Sequence, residues 1–421
     1  MRLLNLRKYI AENRAELHFL LLFFTIWAPT TVNFFAVFLT KITGLEFVKS
    51  AFPTVLSICL ICSSYNYWSK RIRGIDVLVY FLLVGTFVLN YIVDDTNSIM
   101  QDLFLPMFLT SSLVIFAGIA VDLNKLKLPL FYMSAINVAL SAFYYLLFTQ
   151  ASTYSGSLES MTNSATSHIG DISYQVLPSV LYIIWFTFKD FKIFDCKTII
   201  NLFFALLGFI LISSFGTRGP LVCLIVFVVG YIFFFSSHKN KYLVRIITVC
   251  AAVLCYIFLE PILLYMANLM QSLGMSSRIF VYALEGTFLG GEDSADERMM
   301  LLSEAKRVLD AGDFHTYFGY GFLGWSKCMS GYPHNFYYDI MTSFGYVFGG
   351  IFLLWLLVLF VKTATAKVPI DWKCMVFVVS SLGFLQLFMS GTFWGVPFFY
   401  LLIGLCLNIT RKGSIAKHKY Y

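Results

Sequence analysis

Long apolar runs punctuated by short polar breaks carry most of this chain. Twelve can be drawn, at 17–39, 47–65, 75–93, 103–121, 128–148, 174–188, 198–213, 220–235, 243–270, 336–361, 374–389 and 394–409. A bilayer core takes about 20 residues of helix, so the sixth, seventh, eleventh and twelfth runs must borrow flanking residues. Helix is the expected element, because lone strands in lipid would leave backbone polar groups unpaired. The pattern predicts an all-α, polytopic integral-membrane bundle of about 12 transmembrane helices, forming a single domain over residues 1–421.

Composition removes the soluble alternative. With 59% hydrophobic and 13% charged residues over 421 positions, there is too little polar surface to wrap a domain of this size. Charge then orients the bundle. With the N-terminus inside, the inward segments hold 22 of the 30 Lys and Arg residues, and the outward ones hold 8. That is the positive-inside bias, and an even number of spans places both termini in the cytoplasm. The net charge of +7 is this inner-face bias, with a basic tail at 410–421 suited to anionic lipid heads, and carries no implication of nucleic acid. Arg14 and Glu16 lead straight into the first run, so no cleavable signal peptide is expected. Cys59 and Cys62 have CxxC spacing but lie inside an apolar run with no other ligand type. Among the nine cysteines only Cys328 is clearly outside, and no disulfide framework is expected.

Two outward loops exceed mere connections, and long loops tend to carry function. Residues 149–173 are rich in Ser and Thr. The second, 271–333, is 63 residues long. In it, Ser294-Ala295-Asp296-Glu297 has the form of a capping box before an amphipathic run, and Gly312 follows as a stop. The pattern predicts a helix near 295–309, docked by Met299, Leu302 and Val308. Tyr317, Tyr320 and Trp325 suit the membrane interface or stacking on sugar faces.

Basic residues are scarce outside, which singles out Arg218. It lies in Thr217-Arg218-Gly219-Pro220, at the outward N-terminus of the eighth span. Unpaired N–H groups, the positive end of the helix dipole and a guanidinium fork converge there into an anion site suited to phosphate. Pro333-His334-Asn335 repeats the geometry at the tenth span. Asn335 is a candidate cap, and the helix end disfavours the imidazolium of His334, as a proton acceptor requires. Arg278 and Arg298 complete the outward basic set. Asp171, just before the sixth span, and His168 are candidates for sugar hydroxyls. No acid cluster has metal-ligand spacing, so neither metal nor cofactor is expected.

Taken together these segments resemble the bacterial O-antigen polymerase and O-antigen ligase superfamily. The resemblance rests on Thr217-Arg218-Gly219, on Gly274-Met275-Ser276-Ser277-Arg278, and on Arg298 about twenty residues before Gly319-Tyr320-Gly321. It continues in Pro333-His334-Asn335-Phe336-Tyr337-Tyr338-Asp339, with Gly345, Gly349 and Gly350 behind. It covers about 213–352. The resemblance implies a GT-C-like architecture and a glycosyltransferase of the bacterial cytoplasmic membrane, its active site facing the periplasm or exterior. The substrates would be undecaprenyl-diphosphate-linked oligosaccharide repeat units. Arg218 would lie near the donor diphosphate, with Arg298 and Arg278 as the external-loop arginines. His334 would activate or orient the acceptor hydroxyl, and Asn335, Tyr320, Asp171 and His168 would contact substrate. The family often carries an Arg before the sixth span, where this chain has only His168. Membrane lipids, a chain-length regulator and a repeat-unit flippase are the implied partners. The ligase of the same superfamily shares the donor chemistry and differs in acceptor. A transporter or flippase, the alternative from another class, would favour ionisable groups at the midplane, paired broken helices and an internal repeat.

The orientation makes a direct prediction. In a background without reactive cysteines, an impermeant thiol reagent added outside should label Cys placed at Asp313 or Lys327 and spare Cys placed at Arg71 or Lys241. Labelling at 71 but not at 313 would reverse the orientation.

Overall fold

A computed structural model of the chain describes residues 13–45, 47–93, 99–148, 169–189, 195–214, 218–235, 292–389 and 391–418, with isolated positions between 245 and 272. Regular structure among them is helical throughout. The principal helices are α1 (Arg14–Trp27), α2 (Pro29–Thr43), α3 (Phe47–Ser63), α4 (Gly74–Val93), α5 (Ile99–Ala120), α6 (Leu123–Phe148) and α7 (Ile169–Lys189). They continue with α8 (Cys196–Ser214), α9 (Arg218–Phe234), α10 (Glu292–Asp310), α11 (Phe314–Phe318), α12 (Phe336–Thr365), α13 (Ile370–Gly383) and α14 (Pro397–His418). Among the described residues, four segments are long and apolar enough to cross a membrane: Leu123–Phe143, Cys196–Ser213, Phe336–Thr365 and Ile370–Phe388. The bent pair α1–α2 makes a fifth if it counts as one span. The chain is therefore an all-α protein with several membrane-suited helices. It divides into two compact units, 1–67 with 122–289, and 68–121 with 290–421.

In the first unit the run at 17–39 is not one straight helix. α1 and α2 meet at 93°. Pro29 disfavours the α region for the residue before it, and Ala28 accordingly sits at φ −127°, ψ 59°. Pro29 then occupies the first turn of α2, where its missing N–H costs nothing. Trp27, fully buried at the corner, donates from its indole N–H to Ser134 Oγ on α6 at 3.1 Å. Asn137 of α6 supplies the next tie: its Oδ1 accepts from the Thr31 N–H at 3.1 Å and from the Thr31 hydroxyl at 2.8 Å. Its amide nitrogen donates to Ser179 Oγ of α7 at 3.0 Å. α8 packs on α7 through Gly208, where an added Cβ would lie 2.3 Å from a Val180 methyl.

The second unit closes on glycine contacts. α5 and α14 approach so nearly that a Cβ on Gly118 would lie 2.6 Å from Leu401 O, and one on Gly404 2.2 Å from Ile115 O. Small residues at such seams gain dispersion contact where lipid offers no hydrophobic drive. Asn408 of α14 donates to the carbonyls of Gly118 and Val121, taking up acceptors freed at the end of α5. Asp76 of α4, only 2% exposed, pairs with Arg411 of α14 and accepts from the Arg73 N–H at 2.8 Å.

α12 is broken at Gly345, whose φ of 68° and ψ of 179° are not helical. The loop after α11 lies against the break. Tyr320 N–H donates to Thr342 O at 2.8 Å and Gly321 N–H to Ser343 O at 2.9 Å. Backbone meets backbone here. A Cβ on Gly319, which has φ +82°, would sit 2.3 Å from Ser343 O, and one on Gly345 2.3 Å from Tyr317 C. Gly319→Ala should therefore destabilise the solubilised protein by about 3 kcal/mol or more. Gly350→Ala, with open space around its Cβ position, should change stability by no more than about 1 kcal/mol. Thermal unfolding in detergent measures both, and equal midpoints for the two variants would refute the seam.

Candidate functional site

α10 begins three residues earlier than the sequence pattern placed it. Ser294 thus lies inside the helix rather than capping it. Its buried face is Leu301, Ala305 and Leu309, with Leu302 and Val308 half-buried. Met299, expected on the docked side, is 67% exposed and lies off the Leu301–Ala305–Leu309 face. Arg298 is exposed beside it. α10 packs on α12 and is tied to the loop that leads into α12. Glu304 accepts from the Ser330 N–H at 2.9 Å and from the Ser330 hydroxyl at 2.8 Å, and Leu301 lies against Gly331. Those two bonds, with Arg307 nearby, hold the Glu304 carboxyl below the usual carboxylate range.

The same loop is fastened elsewhere. Asp313 caps α11, accepting from the Thr316 N–H at 2.8 Å and its hydroxyl at 2.9 Å, which keeps the Asp313 carboxyl low. His315 stacks on the Tyr320 ring at 4.4 Å and 14°. Lys327 donates to Tyr320 O at 2.9 Å, and burial lowers its pKa. Burial pushes the Cys328 thiol up to about 12, leaving it unreactive at neutral pH. Tyr320 is thus a fixed post beside the α12 break, with its backbone on Thr342 and its ring on His315.

At the start of α12, His334 has φ +46°, a left-handed conformation rare for a residue with a Cβ. Strain of that kind costs on the order of 1–3 kcal/mol and persists only where the surroundings enforce it. The residues around it are held in place. Asn335 Oδ1 caps the helix, accepting from Tyr337 N–H at 2.9 Å and Tyr338 N–H at 3.4 Å. Pro333 is buried on the other side. The Tyr332 ring meets the His334 ring edge-on at 5.1 Å, and its hydroxyl donates to Gly391 O at 2.5 Å. Burial, with the Asp339 carboxyl nearby, raises the Tyr332 pKa well above the ordinary tyrosine value.

Asp339, one turn into α12, is fully buried. Its Oδ2 accepts from the Thr392 hydroxyl at 2.7 Å and the Phe393 N–H at 3.2 Å. The Tyr332 hydroxyl, which donates to Gly391 O, lies beside the same carboxylate. Asp339 therefore fixes the 391–394 loop from one side while Tyr332 fixes it from the other. Tyr332, Asp339 and Thr392 were not among the site residues read from sequence, although an acid opening an apolar stretch is a usable signal.

The structure brings His334 and Asn335 together with Tyr332 and Asp339, and places Tyr320 and Arg298 in the same unit. The cap engages Asn335 Oδ1, so only its amide nitrogen remains for a substrate. Arg218 is the first residue of α9 and Asp171 lies in the first turn of α7, both in the other unit. His168 and Arg278 lie outside the described residues. No family model, curated protein or solved structure matches the chain.

The Glu304 tie has a pH signature. A carboxyl held low in the folded state contributes fully above its unfolded pKa and is lost as pH falls through the folded value. Residues 328–335 should stay protected at pH 7 and open only as pH falls below the ordinary glutamate range. Hydrogen exchange corrected for intrinsic rates reads this, and Glu304→Ala should open the segment already at pH 7. Identical protection in Glu304→Ala and the parent would remove the tie from the account.

Proposed function

We propose that the protein is a glycosyltransferase of the bacterial cytoplasmic membrane, polymerising undecaprenyl-diphosphate-linked oligosaccharide repeat units on the outer side. The observation that carries the reading is His334, held in a strained backbone at the head of α12 by a cap, a buried aromatic wall and a loop tied to the Arg298-bearing helix. Backbone strain held in place by its surroundings is characteristic of functional sites. The order of the Arg218, Arg298, Gly319–Gly321 and His334 segments supports the same chemistry, within a GT-C-like bundle of about 12 spans.

In the proposed reaction an acceptor hydroxyl oxygen attacks the anomeric carbon of the donor. The bond from that carbon to the diphosphate oxygen breaks, and undecaprenyl diphosphate leaves with the bonding electrons. Positive charge grows at the anomeric carbon and negative charge on the leaving group. Arginine forks aimed at the diphosphate stabilise that charge where it develops, the role given to Arg218, with Arg298 and Arg278 in support. His334 takes the hydroxyl proton or orients the hydroxyl for attack. The cleaved phosphoester supplies the free energy, so no nucleotide is needed. The superfamily's ligase reaction uses the same donor half with another acceptor.

A second reading, passage of a polar solute, is favoured by the 93° break between α1 and α2. Transporters of this design carry such breaks in pairs; among the described residues α1–α2 is the one helix pair bent in this way.

Purified protein with purified lipid-linked repeat unit decides among these. His334→Ala should lower turnover by roughly 100-fold or more with donor binding near parental. Arg218→Ala should weaken donor binding or leaving-group departure, and Arg218→Lys should recover only part of it. His334→Gln keeps much activity if the residue orients the hydroxyl and little if it is a base. Parental turnover in His334→Ala, or lipid-linked glycan crossing proteoliposomes without polymer forming, would overturn the reading.

A further inference from the structure

The corner between α1 and α2 holds a polar cluster that the proposed reaction does not use. Thr30, Thr31 and Asn33 come from α2, Asn137 from α6, and Gln175 and Ser179 from α7. Asn137 is the fifteenth of 26 residues in its helix, and Ser179 the eleventh of 21, so on α6 and α7 the cluster lies at mid-helix depth, where it meets the start of α2 at the corner. Its bonds fall into two classes. From Asn137 to Thr31 and Ser179 they are short, 2.8–3.1 Å, and all three residues are buried; the Asn137 amide also donates to Gln175 O at 3.3 Å. Toward the rim they lengthen. Gln175 Oε1 receives Thr30 Oγ1 and Asn33 Nδ2, both at 3.4 Å. Asn33 is exposed and Gln175 half-exposed. Bonds beyond about 3.2 Å are weak, so the rim amides are engaged only loosely by the protein, whereas the inner ones are saturated.

Two physical arguments follow. Primary amides facing acyl chains at this depth would forfeit their hydration without compensation; the open side of the cluster therefore faces water or a polar ligand. Every partner in the cluster is a neutral amide, hydroxyl or backbone group. Paired donors and acceptors without charge suit a ligand offering the same. Vicinal hydroxyls fit best, because one amide can donate to one and accept from its neighbour.

We infer that the α1–α2 corner is a binding site for a neutral saccharide, contacted by Asn33 and Gln175 and held open by the Asn137 tie between the three helices. The Thr31–Asn137–Ser179 bonds fix the corner angle. The loose Thr30 and Asn33 bonds to Gln175 are the ones a sugar hydroxyl displaces. The inference extends the glycan reading to a second contact point and does not depend on His334 or Arg218.

The experiment uses full-length protein in phosphatidylcholine nanodiscs, whose head groups carry no hydroxyls. In a background without reactive cysteines, Asn33→Cys and Gln175→Cys are treated with a cationic, membrane-impermeant methanethiosulfonate. Phe38→Cys, exposed on the same helix as Asn33, is the lipid-facing control. The corner positions should react about ten-fold faster or more than the control, since the thiolate forms only in water. Glucose, galactose or N-acetylglucosamine at high millimolar concentration should slow at least one of them, while inorganic phosphate should not. Saturation-transfer NMR on the parent should show contact with the protecting sugar, and Gln175→Leu should abolish it with an unchanged unfolding temperature. Reaction no faster than at Phe38→Cys would show a lipid-facing corner and overturn the inference. Fast reaction with no protection and no NMR contact would show a water-filled structural bend and overturn it equally. Binding is read without turnover, so either failure leaves the polymerase reading standing, and loss of that reading leaves this one.

Discussion

Main-chain polar groups in an apolar surrounding must find partners, and this constraint decides the shape of the second unit. Once α12 breaks at Gly345, its carbonyls at Thr342 and Ser343 need donors, which come from the extended segment at Tyr320 and Gly321. That pairing fixes the 319–321 loop in contact with a helix long enough to span a bilayer. The three glycines at the seam, Gly319, Gly324 and Gly345, are there because no side chain fits between the two backbones. From this seam the chain runs through the Trp325–Cys328 turn to Ser330, Tyr332 and His334, and each step has its own tie.

Four of the buried polar side chains share one task. Asn137 holds the corner of α2, Asp339 holds the loop before α14, Asn408 takes the last carbonyls of α5, and Asp76 joins α4 to α14. Each bond is made at a point where one of the joined helices starts, stops or bends. In a bundle whose helices differ little in their apolar surfaces, such groups specify which end meets which, as single polar residues fix register in other helical assemblies.

Much of this was legible in the chain, and the rest failed for identifiable reasons. Helical class and membrane character followed from the apolar runs. The helix preceding the His334 loop followed from its periodicity; of the expected docked residues Leu302 and Val308 are half-buried, while Met299 is exposed, a distinction that a hydrophobic pattern does not make between it and its neighbours on the packed side. A proline such as Pro29 signals only that a helix stops, not that its successor leaves at 93°; the corner is tied by Asn137, more than a hundred residues away. A spacing of glycines does not tell that Gly319 lies against another backbone. The ties of Asp339 to Thr392 and of Glu304 to Ser330 depend on pairings across the fold that no local spacing encodes.

The pairing of α4 and α5 with α14 bears on how the protein is made. Val121 and Pro397 are separated by roughly 275 residues, which at about 5–20 residues per second delays α14 by tens of seconds after α5 has left the ribosome. Through that interval Gly118 has no helix against it and the Asp76 carboxylate has no Arg411. The unit at 68–121 and 290–421 is thus completed by α14, after residues 122–289 of the other unit have been synthesised. A nascent chain stalled before Pro397 presents the membrane quality-control machinery with an open glycine groove and an uncompensated acid, two marks that vanish together when α14 arrives.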